Sequence, residues 1–184
     1  MSTKLSNFIF ELGMLKRTPR SGWLSLGIKD CESVAEHSFR MAVLAMILAK
    51  MEGANEERVL KMCLLHDLPE ARTSDLSYLH AKYAKADMEK AAKDSLDGLL
   101  FEKEALALIT EFEAQKTKEA IVAKDADYLE CIFQAKEYLE IGFKFAEHWI
   151  KNAKKKLKTK SARELEEEME KTSSFEWLAN ARKS

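Results

Sequence analysis

Cys63-Leu64-Leu65-His66-Asp67-Leu68-Pro69-Glu70 decides how the chain folds. Val59, Met62, Cys63, His66 and Glu70 fall on one helical stripe, with Glu70 one turn beyond His66. Asn55-Glu56-Glu57 supplies an N-cap and an acidic first turn, so a helix starts there. Pro69 perturbs or ends that helix just after the His-Asp pair. Titratable side chains in an apolar setting cost free energy unless they are paired or bound to metal. The stretch therefore reads as half of a site at the end of a buried helix, and the rest of the chain as packing that brings the other half to it.

Upstream, Ser33-Val34-Ala35-Glu36 is a capping box that opens a helix to about Met51. That helix is apolar on most sides, and His37 lines up with Met41, Leu44 and Leu48, so it points inward. Before it, Leu5, Phe8, Ile9, Leu12 and Leu15 predict a helix over 3–17, ended by Pro19. The loop from Thr18 to Glu32 carries Arg20, Gly22, Trp23 and Gly27, and a loop of that length with Trp and Arg is more often functional than idle. Downstream, Arg72 to Leu79 reads as a loop, and 84–115 as two helices broken near Asp97-Gly98. A long helix over 117–140 contains Asp125 and Asp127. Gly142 separates it from 143–156, whose apolar stripe is Phe145, Trp149 and Ile150. Ser161-Ala162-Arg163-Glu164 reads as a second capping box, opening a charged helix that ends near Phe175, Trp177 and Leu178. No period-2 alternation or repeat stands out. The expectation is an all-α, single-domain chain over 1–184, with a core at about 20–140 and C-terminal helices over 143–182 that pack on it or on a partner subunit.

Composition narrows the partners. Lys plus Arg total 30 against 31 Asp plus Glu, so no net field draws nucleic acid or a membrane surface. The basic run over 151–160 is balanced by the acidic run from Glu164 to Glu170, and reads as a solvated face. Cys31, Cys63 and Cys131 are widely spaced, which predicts reduced thiols and a cytoplasmic protein. Met1 to Phe10 is too short and too polar for a signal peptide, and no apolar run reaches membrane-spanning length. The exposed apolar residues expected of the later helices suggest a homodimer.

His37 and His66 are two of 4 histidines, and they sit on the two most apolar helices. A single inward His is usually a core residue. Two of them, one beside Asp67, fit either a buried hydrogen-bond network or a metal site completed by an aspartate of the long helix. Such nitrogen and oxygen donors suit Mn, Co, Fe, Ni or Zn better than a thiol-loving metal. Asp125 and Asp127 lie about 200° apart on a helix that is apolar nearly all round, so both remain open as the distant ligand. Cys63 reads as a small core residue. Glu70 is either an exposed carboxylate at a helix end or a general acid/base, and Asp75 is its partner or an N-cap.

The ordered set His37 … His66-Asp67 … Asp127 resembles the H…HD…D signature of the HD superfamily of metal-dependent phosphohydrolases. The likeness extends to Leu15-Lys16-Arg17-Thr18-Pro19-Arg20-Ser21-Gly22-Trp23, to Glu32-Ser33-Val34-Ala35-Glu36-His37-Ser38, and to His66-Asp67-Leu68-Pro69-Glu70 with Thr73-Ser74-Asp75-Leu76. These stretches are similar to the 5'-deoxynucleotidase branch, over roughly residues 5–140. The resemblance implies an HD-type helical bundle. It implies one divalent transition metal, Mn or Co foremost, held by His37, His66, Asp67 and Asp127. In that family Asp127 takes the ligand position, and Asp125 would support it or pair with a Lys. Glu70 would activate or relay protons for the attacking water, and Asp75 would assist at the leaving oxygen or the sugar. Arg20 would contact phosphate, and Trp23 would shape the nucleoside pocket. The implied substrate is a nucleoside monophosphate. Related chemistries on dNTPs, alarmones or cyclic nucleotides, and a non-catalytic nucleotide-binding module, are the alternatives. One departure is Thr73-Ser74-Asp75, where the branch often has Thr-Gly-Asp.

Overall fold

The structure is a computed structural model and describes residues 3–182; Met1 and Ser2 at one end, and Lys183 and Ser184 at the other, lie outside them. Among the described residues there are eleven α-helices, two 3-10 turns and no strand, as the helical periodicity predicts.

The centre is the pair α3 (Val34–Glu52) and α8 (Lys118–Glu140), with α4 (Glu56–Leu65) packed against both. α3 begins with the expected capping box: Ser33 Oγ accepts from the Glu36 N–H, and Glu36 Oε2 accepts from the Ser33 N–H. It ends at Gly53, whose φ of +62° suits a residue without a Cβ. α8 contributes Ala120, Ala123, Ala126 and Ala135 to the core, and these small side chains let neighbouring helices approach closely. α4 has Asn55 as its N-cap, the side chain accepting from the Arg58 N–H at 3.0 Å.

Two apolar clusters meet at the opening stretch. Met62 and Cys63 belong to the large core with α3 and α8. Leu68 belongs to a smaller one with Phe8, Leu96, Leu99 and Ala105, contributed by α1 (Thr3–Leu12), α6 (Met88–Leu96), the segment after it and α7 (Glu102–Ala114). The intervening His66-Asp67 is thereby clamped from both sides.

Four boundaries differ from expectation. α1 stops at Leu12 rather than 17, and the chain leaves it through turns at Gly13 and beyond. α4 stops at Leu65, four residues before Pro69, and Pro69 leads into the short α5 (Glu70–Thr73), where its fixed φ and missing N–H are tolerated. The cap of α10 (Lys160–Lys171) is Thr159, not Ser161: Thr159 Oγ1 accepts from the Ala162 N–H, while the Ser161 N–H donates to Glu52 Oε1 at 2.9 Å. α10 ends at Lys171, and Trp177 and Leu178 lie in a separate helix, α11 (Glu176–Ala181), with Phe175 at its N-cap. No helix among the described residues is long and apolar enough to cross a membrane.

Candidate metal centre

The segment before α3, which contains the short helix α2 (Ser21–Leu24) where the sequence predicted only a loop, is pinned at its base. Pro19 and Ser33 form an isolated bridge, the Arg20 N–H donates to Glu32 O, and the Val34 N–H donates to Thr18 O. This holds Arg20 beside the start of α3, within reach of the end of α4.

There the chain brings together the residues its sequence singled out. His37 Nε2 lies 3.3 Å from Asp127 Oδ1 and 3.9 Å from Asp67 Oδ2. His66 Nε2 lies 3.0 Å from Asp67 Oδ2, and Arg20 Nη1 lies 3.3 Å from the same oxygen. His37, His66 and Asp127 each offer a donor atom within 4.8 Å of the others. Asp125 is not among them. Its buried carboxylate accepts from the backbone N–H groups of Lys158 and Thr159 and from Thr159 Oγ1, so it ties α8 to the entry of α10. Its Lys partner is a backbone amide, not the ammonium that the sequence suggested.

Both imidazoles are oriented from behind. His66 Nδ1 is 2.8 Å from Cys63 O and can only donate to it, so Nε2 carries the lone pair. His37 Nδ1 is 2.5 Å from Glu130 Oε2 and donates to it, which turns Nε2 towards Asp127 and Asp67. Glu130 is fully buried, and its charge is offset by Arg40, 2.7 Å away. Arg40 is itself held by Gln134 and Glu137. Sequence reading missed Glu130 and Arg40. The available signal was that Glu130 follows Asp127 by three residues and so shares its helical face.

The electrostatics favour a cation at the centre. Burial works against the charge on Asp127, but Lys124 and His37 hold its carboxyl far below the usual range. Burial likewise opposes Asp67, which His66, Arg20 and His37 keep ionised. Burial and the Arg20 charge disfavour protonation of His37, yet Asp127 and Glu130 push it up to about 10. Glu70 is 8% exposed, and burial together with Asp67 and Asp75 pushes it up to about 9. Positive charge at the imidazole Nε2 atoms is what these carboxylates require, and a divalent ion supplies it as well as a proton does. Three buried polar atoms here, His37 Nε2, His66 Nε2 and Glu70 Oε2, make no hydrogen bond. Two imidazole nitrogens with carboxylate oxygens around them form a donor set suited to a divalent transition metal.

Asp75 sits beside this cluster, its Oδ2 accepting from the Ser21 N–H at 2.7 Å. A cavity of about 280 Å³ lies elsewhere, by Glu36 and Arg40; the one that touches the cluster holds about 220 Å³, and Arg20, Gly22, Trp23, Asp75, Tyr78, Cys131 and Trp149 are among its lining residues. Trp23 is only 3% exposed, and its indole N–H donates to Glu32 Oε1 at 2.9 Å. It forms part of the cavity wall.

A model of the HD domain matches residues 12–169. The 5'-deoxynucleotidase HDDC2 of Danio rerio is 39% identical over 139 residues, 73% of this chain and 69% of that protein. Its human counterpart is 36% identical over 145 residues, 76% of this chain and 71% of that protein. Among solved structures, a conserved hypothetical protein from Pyrococcus furiosus superposes with a TM-score of 0.76 at 35% identity, covering 90% of this chain and 99% of that one. A predicted metal-dependent phosphohydrolase from Magnetospirillum magnetotacticum MS-1 gives a TM-score of 0.68 at 25% identity, covering 90% and 89%. The chain belongs to the HD-domain family of metal-dependent phosphohydrolases.

Proposed function

We propose that this protein removes the 5'-phosphate from deoxynucleoside monophosphates, giving nucleoside and inorganic phosphate. The observation that carries this reading is the convergence of the buried His37 and His66 Nε2 atoms, neither of which makes a hydrogen bond, on Asp127, with Asp67 alongside, against His66 and the Arg20 guanidinium. The relatives named 5'-deoxynucleotidase support it. His37, His66, Asp67 and Asp127 would hold one divalent ion, Mn or Co foremost, with Fe, Ni and Zn compatible with the same donors. When bound, such an ion acidifies water and polarises a phosphoryl oxygen. Arg20, oriented by Asp67, would present its planar fork to the phosphate. A divalent ion held beside it would offset the burial and the neighbouring carboxylates that push Glu70 up, and in that ionised form Glu70 would accept the proton of the attacking water. Asp75, fixed by the Ser21 amide, would meet the leaving oxygen or the sugar, and Trp23 would hold the pocket wall in place. Residues 1–184 would act as one unit, and the three free thiols support a reducing, cytoplasmic setting.

The test is phosphate release from deoxy- and ribonucleoside monophosphates after chelation and reloading with Mn or Co. Turnover of deoxynucleoside monophosphates that disappears with the metal and returns with it is expected. No turnover of any monophosphate, or faster turnover of a dNTP or cyclic dinucleotide, overturns the reading.

Glu130 provides a check on the metal site itself. Glu130→Gln should weaken Mn or Co binding about 10- to 100-fold, measured by titration calorimetry, because the neutral amide can still accept from His37 Nδ1 but no longer raises the basicity of the ring or offsets Arg40.

The chain would also form a homodimer, and besides the apolar residues of the later helices α3 offers a face for it. Phe39, Val43 and Met46 follow one another at spacings of four and three, flanked by Glu36 and Lys50, and all are exposed, Phe39 to 71%. A second copy packed antiparallel about Val43 would set each Phe39 against the other's Met46, and the Glu36 end against the Lys50 end. Light scattering should find a dimer, and Phe39→Glu should convert it to a folded monomer. A wild-type monomer at micromolar concentration rules this out.

A further inference from the structure

Trp149 has no part in the chemistry described so far, yet it stands at the mouth of the site. It lies on α9 (Glu147–Lys154), which packs on α8. Trp23 backs its ring, with centroids 5.4 Å apart and planes at 36°. Tyr78 stands nearly perpendicular to it, with centroids 6.5 Å apart and planes at 71°. Gly22 keeps the indole close to the Arg20 loop, since a Cβ there would lie 3.4 Å from Trp149 Nε1. Tyr78 and Trp149 also line a second cavity of about 580 Å³, whose other walls include Leu26, Phe143 and Phe145. The two aromatic rings are therefore shared between a small polar cavity, with Arg20 and Asp75, and a larger apolar one.

That order matches the order of groups along a nucleotide: phosphate, then sugar, then a planar apolar base. We propose that Trp149 and Tyr78 form the nucleobase subsite, taking the base by stacking as it leaves the Arg20–Asp75 cavity; this rests on the monophosphatase reading above. Stacking is tolerant of base identity because every base has a π-face, and the larger purine gains more contact. The side chains of the apolar cavity offer few polar groups, Ser25 and Lys144 among them, to read base edges. The enzyme should accept all four deoxynucleotides, with a modest preference for purines carried in KM.

The experiment compares kcat/KM for dAMP with that for deoxyribose 5-phosphate, which has no base. In the wild type dAMP should be favoured by about 10-fold or more. That ratio should fall towards one in Trp149→Ala and in Tyr78→Ala, and recover in Trp149→Phe. Tyr78 is 69% exposed, so its replacement leaves the fold intact even where Trp149→Ala does not. Binding of dAMP should quench indole fluorescence in the wild type, and less so in Trp149→Phe. If the wild type hydrolyses dAMP and deoxyribose 5-phosphate equally well, or if Tyr78→Ala leaves the ratio unchanged, the subsite is elsewhere. If neither compound is hydrolysed by the metal-loaded protein, the monophosphatase reading has failed instead.

Discussion

Asp127→Ala should abolish metal binding and lower phosphate release by at least about 1,000-fold, while the protein stays folded. The loss removes a carboxylate 3.3 Å from His37 Nε2, and one ligand fewer leaves two histidines and Asp67 to hold a divalent ion. Neighbouring Asp125→Ala should do the opposite. Its buried carboxylate accepts from two backbone amides and the Thr159 hydroxyl, and removal takes the shared acceptor from three donors at the entry of α10. A cost of about 3 kcal/mol is expected, seen as a lower midpoint in urea, with metal stoichiometry retained. Metal content by mass spectrometry and denaturant unfolding of both variants check the pair. Loss of metal from Asp125→Ala alone would reverse the assignment.

The same two aspartates show what could be read without coordinates. Helical periodicity supplied the all-α class, and the capping box at Ser33 located the start of α3 to the residue. That placed His37 in the first turn, facing inward. For Asp125 and Asp127 the periodicity had no preference, because α8 is covered on nearly every side: α3, α4, α7, α9 and α10 all pack on it. A helix buried all round has no polar face from which to infer direction. Ser161 misled for a related reason. Its capping pattern with Glu164 is sound locally, but the Asp125 carboxylate fixes the amide of Thr159, 34 residues away in sequence, and moves the cap back two positions. Glu130 stayed invisible because its partner His37 is 93 residues away. Trp149 was legible only as part of an apolar stripe; its place beside the Arg20 loop depends on how α9 returns across α8. Contacts within one element were readable, and contacts between elements were not, except where family resemblance supplied them.

Glu70→Gln should leave metal content, fold and KM nearly unchanged, and lower kcat by about 100- to 10,000-fold. The substitution is chosen for what it preserves. Glutamine has the shape of a protonated glutamate and keeps a carbonyl oxygen, so every packing contact of this nearly buried side chain survives. If Glu70 serves only to fill space or to donate a hydrogen bond, the amide replaces it without loss. If it accepts a proton from the attacking water, the amide cannot, and turnover alone collapses. Its position favours the second case. Glu70 lies one turn past His66, its Oε2 is buried without a hydrogen bond, and Asp67 and Asp75 are its charged neighbours. A carboxyl left unpaired among carboxylates gives up stability, and only a function at that atom, or a cation shared with it, explains its retention. Steady-state kinetics with dAMP, beside metal analysis and thermal unfolding of the same preparation, separate the outcomes. Wild-type kcat in Glu70→Gln would assign the proton transfer to another group, and Asp75, held by the Ser21 amide on the rim of the same cavity, would be the next to replace.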